Sequence, residues 1–310
     1  MEQLIDCFSH AVYHAPRGKD RLIFLGNHLS QSYLQPNDHL IGVIGRPGSG
    51  KSLLIKGMFP GLNLTNDDEG INVRPLPLWE EFERDNFSSP AFHVDINFES
   101  AFIQAGNIAQ AAEKAILKNR RVVIEHFDRI VEYIDIMPDL LVGIGEEVIV
   151  ARPGVFGPTA AEVKEIVFSS LFNRQMAHTA EDLTAMVIAN KGYPRPPLHS
   201  DVKSGFVLQF NERPGFSVKQ IEQEVNELIN AELSVEYMDE ETIKIGEMVT
   251  TCTGPRIHVK NTSDIKGYDL SLDLEKDPNT GFYLLAGKIG QDDNPFNLSC
   301  PECSPLRSDS

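Results

Sequence analysis

Hydrophobic and polar positions follow two different periods in the first half of the chain. Short apolar runs, many of them β-branched, stand at Leu40–Ile44, Ala91–Ile96, Arg121–His126, Leu140–Ile144 and Glu147–Val150. Runs of this length predict buried strands. Between them, Leu22, Leu25, Leu29 and Tyr33 predict a helix over Arg21–Tyr33. Leu53–Met58 reads as the start of another helix and Ala101–Lys118 as a third. Residues 1–12 are apolar and fit either a strand or a short helix. Ile71–Pro75 predicts a short strand ended by its proline, and the charged Trp79–Asn86 an exposed segment. Strands alternating with helices predict an α/β sheet with its ligands at the carboxyl ends of the strands.

The second half has a different grammar. Ala151–Pro158 is rich in Pro and Gly and predicts a linker or abrupt turn. Thr159 with Glu162 forms a capping-box pattern, and a long helical pattern runs from there to Asn190. Val202–Phe210 alternates as a strand. Val218, Ile221, Val225, Leu228 and Ile229 mark an amphipathic helix. Strands are predicted at Leu233–Tyr237, Tyr268–Leu274 and Phe282–Leu285.

The first candidate chemistry follows the Leu40–Ile44 strand. Gly45-Arg46-Pro47-Gly48-Ser49-Gly50-Lys51-Ser52, continuing into Leu53, has the form G-x-x-x-x-G-K-[ST]. Its glycines let backbone N–H groups curl around phosphate oxygens, and the helix N-terminus adds a positive dipole. Lys51 then serves the β/γ-phosphates of ATP, and Ser52 ligates magnesium. Such a site also needs a carboxylate for the metal and one to position water. Asp95 and Glu125 stand at strand ends, where both are candidates. The residues themselves leave open which takes the magnesium.

The second candidate is a set of metal-ligand types. His178 and Asp182 are four apart on one helix face, a spacing that also suits a surface ion pair. Cys252 and His258 are zinc ligands by type. Cys300-Pro301-Glu302-Cys303 is a lone C-x-x-C that reads as a free tail.

Composition narrows the classes. The chain has 310 residues, 41% hydrophobic, with a formal net charge of −17. That length suggests two domains. Neither half is basic, which weighs against broad nucleic-acid binding. Residues 191–219 are locally basic and suit either an RNA contact or a solvated edge. Four cysteines make no disulfide scaffold, and no apolar run approaches the ~18 residues of a membrane span. A cytoplasmic location is expected, with no membrane partner.

Residues 18–152 resemble the TsaE-type ATPases that support threonylcarbamoyl modification of tRNA. The resemblance rests on Leu25–Leu29, Pro36–Ile41, the glycine loop, His93-Val94-Asp95 and Ile124-Glu125. It implies Asp95 near magnesium and Glu125 as a catalytic or water-positioning acid. The family's Tyr-Arg after the Asp is here Asn97-Phe98, its Trp after the Glu is His126, and its S-P-T-F segment corresponds to Arg74–Pro77.

Residues 160–290 resemble the editing domain of alanyl-tRNA synthetases and the free-standing AlaX proteins. The family order is H-x-x-x-H on a helix, then C-x-x-x-H followed by V-x-x-T-x-x-I. Here the last part stands as His258-Val259-Lys260-Asn261-Thr262-Ser263-Asp264-Ile265. The resemblance implies a zinc site of His178, Cys252 and His258 that hydrolyses the ester of a mischarged aminoacyl-tRNA. Asp182 replaces the second histidine, and two extra residues separate Cys252 from His258.

The expected organisation is an α/β P-loop NTPase domain over 1–152, a linker at 153–159, an α+β editing-type domain over 160–292 and a tail over 293–310. The expected cofactors are ATP with magnesium, and zinc. The expected function is ATP-driven or ATP-regulated hydrolysis of an aminoacyl-tRNA ester. Two rival readings stand beside it. One is a nucleotide-switched binding protein whose second domain only recognises tRNA or a protein partner; the other is a small-molecule kinase.

Overall fold

The computed structural model describes residues 9–65, 76–154, 157–239, 241–252, 254 and 257–290. Cys7, the segment 66–75 with its expected strand, and Cys300 and Cys303 lie outside them. The chain divides into two compact units, 1–172 and 173–310. The division falls inside a helix rather than at the expected linker, 153–159.

In the first unit, β1 (Ser9–His14), β2 (Leu40–Ile44), β3 (Ala91–Asp95), β4 (Arg121–Glu125), β5 (Leu140–Ile144) and β6 (Glu147–Ala151) form one sheet in the order β1-β6-β5-β2-β4-β3. The strands β5, β2, β4 and β3 are parallel, with β3 at one edge, while β6 and β1 run antiparallel at the other. β2 and β5 are buried along their whole length, as their unbroken apolar runs require. The helices are α1 (Lys19–Tyr33), α2 (Lys51–Met58), α3 (Pro77–Glu83), α4 (Ile96–Glu99) and α5 (Ala105–Leu117). Separate apolar clusters pack around the sheet: Leu22, Leu29, Leu54 and Ile55 join one, and Leu78, Ile108 and Phe127 join another.

Two local expectations change here. The segment expected to be exposed, Trp79–Asn86, overlaps the end of α3, which packs Trp79 and Phe82 against the core, while Glu83, Arg84, Asp85 and Asn86 are exposed. Its apolar residues fall on one helix face, a period masked by the intervening glutamates. The third helix begins at Ala105, not Ala101, because Asp95 caps α4 just ahead of it and the chain must turn between the two.

Helix α6 (Ala160–Asn190) carries the expected capping box. Thr159 N–H donates to Glu162 Oε2 at 2.8 Å, and Glu162 N–H to Thr159 Oγ1 at 3.2 Å. Val163 and Val167 pack in the first unit, while Ala180, Leu183 and Ile188 lie in the core of the second.

The second unit pairs α6 and α7 (Val218–Asn230) with antiparallel strands. β7 (Leu198–Val202), β8 (Gly205–Phe210), β12 (Asp269–Leu270), β13 (Glu275–Lys276) and β14 (Tyr283–Lys288) form one sheet. β9 (Val235–Tyr237), β10 (Thr242–Ile245) and β11 (Met248–Thr251) form another. The single strand expected over Val202–Phe210 is instead the second arm of a hairpin, turned at Ser204 with φ 51°. The strand expected over Tyr268–Leu274 shortens to β12. The hairpin of β10 and β11 was not expected. Its signal, Ile243 and Ile245 before Gly246 at φ 57°, lies among charged neighbours. Helices beside antiparallel sheets make this unit an α+β architecture.

Candidate functional site

The strand order of the first unit brings three chain segments to one sheet edge. Asp95 stands opposite Glu125 in the β3–β4 register, and Val43 stands opposite Glu125 across β2–β4. The glycine loop leaves β2 at that same edge and enters α2. Gly48 and Gly50 sit at φ 80° and 98°, where a side chain is strained, and a Cβ on Gly50 would also meet Leu22 at 2.6 Å. Arg46, Pro47 and Gly48 are exposed, while Ser49 and Lys51 are buried beneath them. The Arg46 guanidinium lies 5.3 Å from the centre of the Phe168 ring.

Lys51 Nζ donates to the carbonyl of Arg46 at 2.9 Å and lies 3.7 Å from Glu125 Oε1. Ser52 Oγ donates to Glu125, with its two oxygens at 3.2 and 3.1 Å. His93 Nε2 lies 3.4 Å from Glu125 Oε2. Burial opposes the charge on Glu125, but the hydrogen bond from His93 and the charge of Lys51 overcome it and hold the carboxyl at about 2. Burial pulls Lys51 below its ordinary value, against the charges of Glu125 and Asp95.

One oxygen of Asp95 serves the next helix. Its Oδ1 accepts from the N–H groups of Asn97 and Phe98 at 2.8 and 3.2 Å, capping α4. Thr65, His93, Glu99 and His126 also belong to this cluster, and sequence reasoning assigned none of them a role. The H-x-D spacing of His93 and Asp95, which places both on alternate positions of β3, was the available signal for one of them.

In the second unit, the structure brings together all four sequence-predicted ligands, His178, Asp182, Cys252 and His258. One donor atom from each lies within 4.8 Å of the others. Cys252 Sγ is 3.2 Å from His178 Nε2 and 3.8 Å from His258 Nε2. Asp182 Oδ2 is 2.9 Å from His258 Nε2 and 3.8 Å from His178 Nε2. Tetrahedral zinc bonds of about 2.0–2.3 Å require donors about 3.3–3.8 Å apart. The separations of Cys252 from both histidines and of Asp182 from His178 lie at or near that range, while Asp182 and His258 stand closer, at hydrogen-bonding distance. The i, i+4 spacing puts His178 and Asp182 side by side on α6, and the segment after β11 brings Cys252 and His258 over them.

Supporting contacts fix the cluster. Thr179 Oγ1 accepts from Val259 N–H at 3.1 Å, tying the His258 segment to α6. Gly254 N–H points to Cys252 Sγ at 3.3 Å, a donor suited to a thiolate. Burial pushes the Cys252 thiol well above its ordinary range, and the charge of Asp182 pushes it further. Arg195 donates to the hydroxyls of Thr251 and Thr250 at 2.7 and 2.8 Å and comes within 4.0 Å of Asp182 Oδ1. Beside the cluster, Glu181 Oε1 lies 3.3 Å from His199 Nδ1. Other cations of the basic stretch also have carboxylate partners, Lys191 with Glu224 and Arg213 with Asp273.

No known family model and no curated protein matches the chain. Among solved structures it is similar to an ornithine aminotransferase from Toxoplasma gondii, at 12% identity over 85% of this chain and 72% of that one, with a TM-score of 0.25. An acetylornithine aminotransferase from Elizabethkingia anophelis gives 14% identity over 74% and 68%, with a TM-score of 0.23. Overlap this low shows no common fold. Among the described residues, no helix is long and apolar enough to cross a membrane.

Proposed function

We propose that the chain is a cytoplasmic protein that binds and hydrolyses ATP in its first unit and hydrolyses an aminoacyl ester, as carried by aminoacyl-tRNA, in its second. The observation that carries the reading is the convergence of His178, Asp182, Cys252 and His258 on one tetrahedron-sized space. Four donors from segments far apart in sequence would otherwise bury a carboxylate and a thiol together at considerable cost.

In the first unit, residues 45–53 cradle the phosphates and Lys51 balances their charge. Ser52 would help hold magnesium, which would supply charge neutralisation at the phosphates. Glu125, hydrogen-bonded to Ser52, supports that position more directly than Asp95, whose Oδ1 caps α4.

In the second unit, His178 and His258 present Nε2, Cys252 its sulfur and Asp182 an oxygen. Zinc held there would supply Lewis acidity toward an ester carbonyl and lower the pKa of a water, provided a water is admitted beside or in place of one of the four donors. Arg195, anchored by Thr250 and Thr251, steadies Asp182 and offers a cation to an anionic substrate group.

Metal content tests this reading, measured on the purified protein beside Cys252→Ala. About one zinc per chain, lost in the variant, with hydrolysis of mischarged tRNA by the parent alone, is the expected result. No metal in either protein sinks the hydrolytic reading.

One observation favours a second reading. Four protein donors close a tetrahedron, the pattern of structural zinc sites. The second unit would then be a recognition module for tRNA or a protein partner, holding metal but hydrolysing nothing.

A further inference from the structure

The nucleotide cluster holds a further polar side chain beside the acids that sequence suggested. Both oxygens of Glu125 are committed, Oε1 to Ser52 and Lys51, Oε2 to Ser52 and His93. Asp95 Oδ1 is committed to the start of α4. The side chain next along the chain from Glu125 is His126.

His126 has three unusual features. Its backbone is left-handed, with φ 61°, a conformation that costs a residue of this shape about 1 kcal/mol and concentrates at functional sites. Its ring is buried at the carboxyl edge of the parallel sheet, close enough to Lys51 for that ammonium to help pull it down to about 4, burial being the larger cause. Its Nε2 lies 2.8 Å from the amide nitrogen Nδ2 of Asn97. An amide nitrogen only donates, so Nε2 accepts and the ring proton sits on Nδ1. Among the described residues nothing pairs with Nδ1.

The arrangement is a preset donor. Asn97 fixes the tautomer of the ring, and Nδ1–H is left over on the residue that directly follows Glu125, the partner of Lys51 and Ser52. Proton abstraction is not open to this ring in that tautomer, since its one basic nitrogen is occupied by Asn97. We propose that His126 is a catalytic residue of ATP hydrolysis, donating from Nδ1 to the terminal phosphoryl oxygens as charge develops there. The assignment rests on the ATP-hydrolysing reading of the first unit.

The reaction it assists is a simple displacement. A water oxygen forms a bond to the terminal phosphorus, and the bond from that phosphorus to the bridging oxygen breaks. The electron pair leaves with ADP, and the water's proton passes to phosphate and solvent. The donor from His126 acts on the oxygens that become more negative during this exchange, so it serves the transition state more than the bound nucleotide.

Two substitutions separate chemistry from backbone strain. Glycine and asparagine both accept φ 61°, but only asparagine keeps a donor near the position of Nδ1. Phosphate release and ATP affinity are measured for the full-length parent, His126→Gly and His126→Asn. His126→Gly is expected to lose about a hundredfold in turnover with ATP affinity within about threefold. His126→Asn is expected to recover to within about tenfold of the parent. Nitrogen-15 shifts of the parent ring should show the Nδ1–H tautomer. Turnover of His126→Gly equal to the parent overturns the assignment alone, as does equal loss of ATP affinity in both variants or an Nε2–H tautomer. A parent that releases no phosphate overturns the hydrolytic reading and the assignment together.

Discussion

The backbone N–H of Thr65 donates to Nδ1 of His93 at 3.1 Å, and this one contact decides which end of the imidazole faces Glu125. A backbone N–H cannot accept, so Nδ1 carries no proton and Nε2 does. The protonated Nε2 lies 3.4 Å from Glu125 Oε2, close enough for electrostatic attraction. Thr65 therefore acts on the glycine-loop cluster without touching Lys51 or Ser52, and His93 is its intermediary.

Removing that donor should weaken the first unit. His93→Leu leaves a buried carboxylate oxygen with one partner fewer, and a loss of about 1–3 kcal/mol is expected. His93→Gln places an amide nitrogen near the position of Nε2 and should recover more than half of it. Chemical denaturation of the three proteins checks this; His93→Leu matching the parent would remove His93 from the account.

Glu99 and Glu125 should respond to pH with opposite signs. Burial, with the nearby charge of Asp95 and against a hydrogen bond with Thr65, pushes Glu99 up to about 8. The folded state then holds a proton that the unfolded state has released above about 4.5, so Glu99 lowers stability as pH rises from about 4.5 toward 8. The cost is on the order of 3 kcal/mol at neutral pH. Glu125, held at about 2, contributes stability that is present above about 4.5 and lost as pH falls toward 2. Glu99→Gln should be more stable than the parent at pH 7.5 and equal to it at pH 4. Melting curves across that range decide; a variant less stable at pH 7.5 contradicts the buried, protonated acid.

The parallel strands were legible because each is an apolar run bounded by polar residues, and β2, β4 and β5 are buried throughout their centres. The long helix α6 was legible from its cap. The metal ligands were legible by residue type and order, since imidazole, thiol and carboxylate keep their chemistry wherever the fold puts them. The partners of Glu125 were less so. A backbone donor such as Thr65 N–H leaves no trace in a sequence, and neither does the tautomer it imposes. The β10–β11 hairpin was hidden because Lys244 and Glu247 pair with each other at 3.1 Å on its surface, so its polar positions read as loop. The Arg195 contact with Thr250 and Thr251 depends on that same hairpin and was hidden with it.

The crossing of α1 and α2 depends on two glycines. A Cβ at Gly57 would lie 2.1 Å from the carbonyl oxygen of Ile23, and one at Gly26 would lie 2.2 Å from that of Leu54. Both obstacles are backbone atoms, which no side-chain rotation can move aside. Gly57→Ala should cost about 1–3 kcal/mol through forced separation of the helices. Because α2 starts at Lys51, the shift should also weaken ATP binding. Denaturation and nucleotide titration of Gly57→Ala check both effects, and unchanged stability would mean the helices can part freely.

Metal at the second-unit cluster should appear as stability that depends on free zinc. Ligand that binds only the folded state stabilises by about 2.7 kcal/mol at a hundredfold over its dissociation constant, a shift of about ten degrees in Tm for a unit of this size. Stripping the metal should leave Asp182, Cys252 and both histidines facing one another in a buried space, and the Tm of the second-unit transition should fall. Cys252→Ala should abolish the zinc-dependent rise because it removes a ligand sulfur. Asp182→Asn should shrink it, since an amide oxygen is a poorer zinc ligand than a carboxylate. Lys51→Ala, altered only in the first unit, should retain it in full. Scanning calorimetry with and without chelator gives the result. An equal zinc shift in Cys252→Ala and the parent would place the metal elsewhere on the chain, and no shift in any of them would leave the four donors as a hydrogen-bonded cluster.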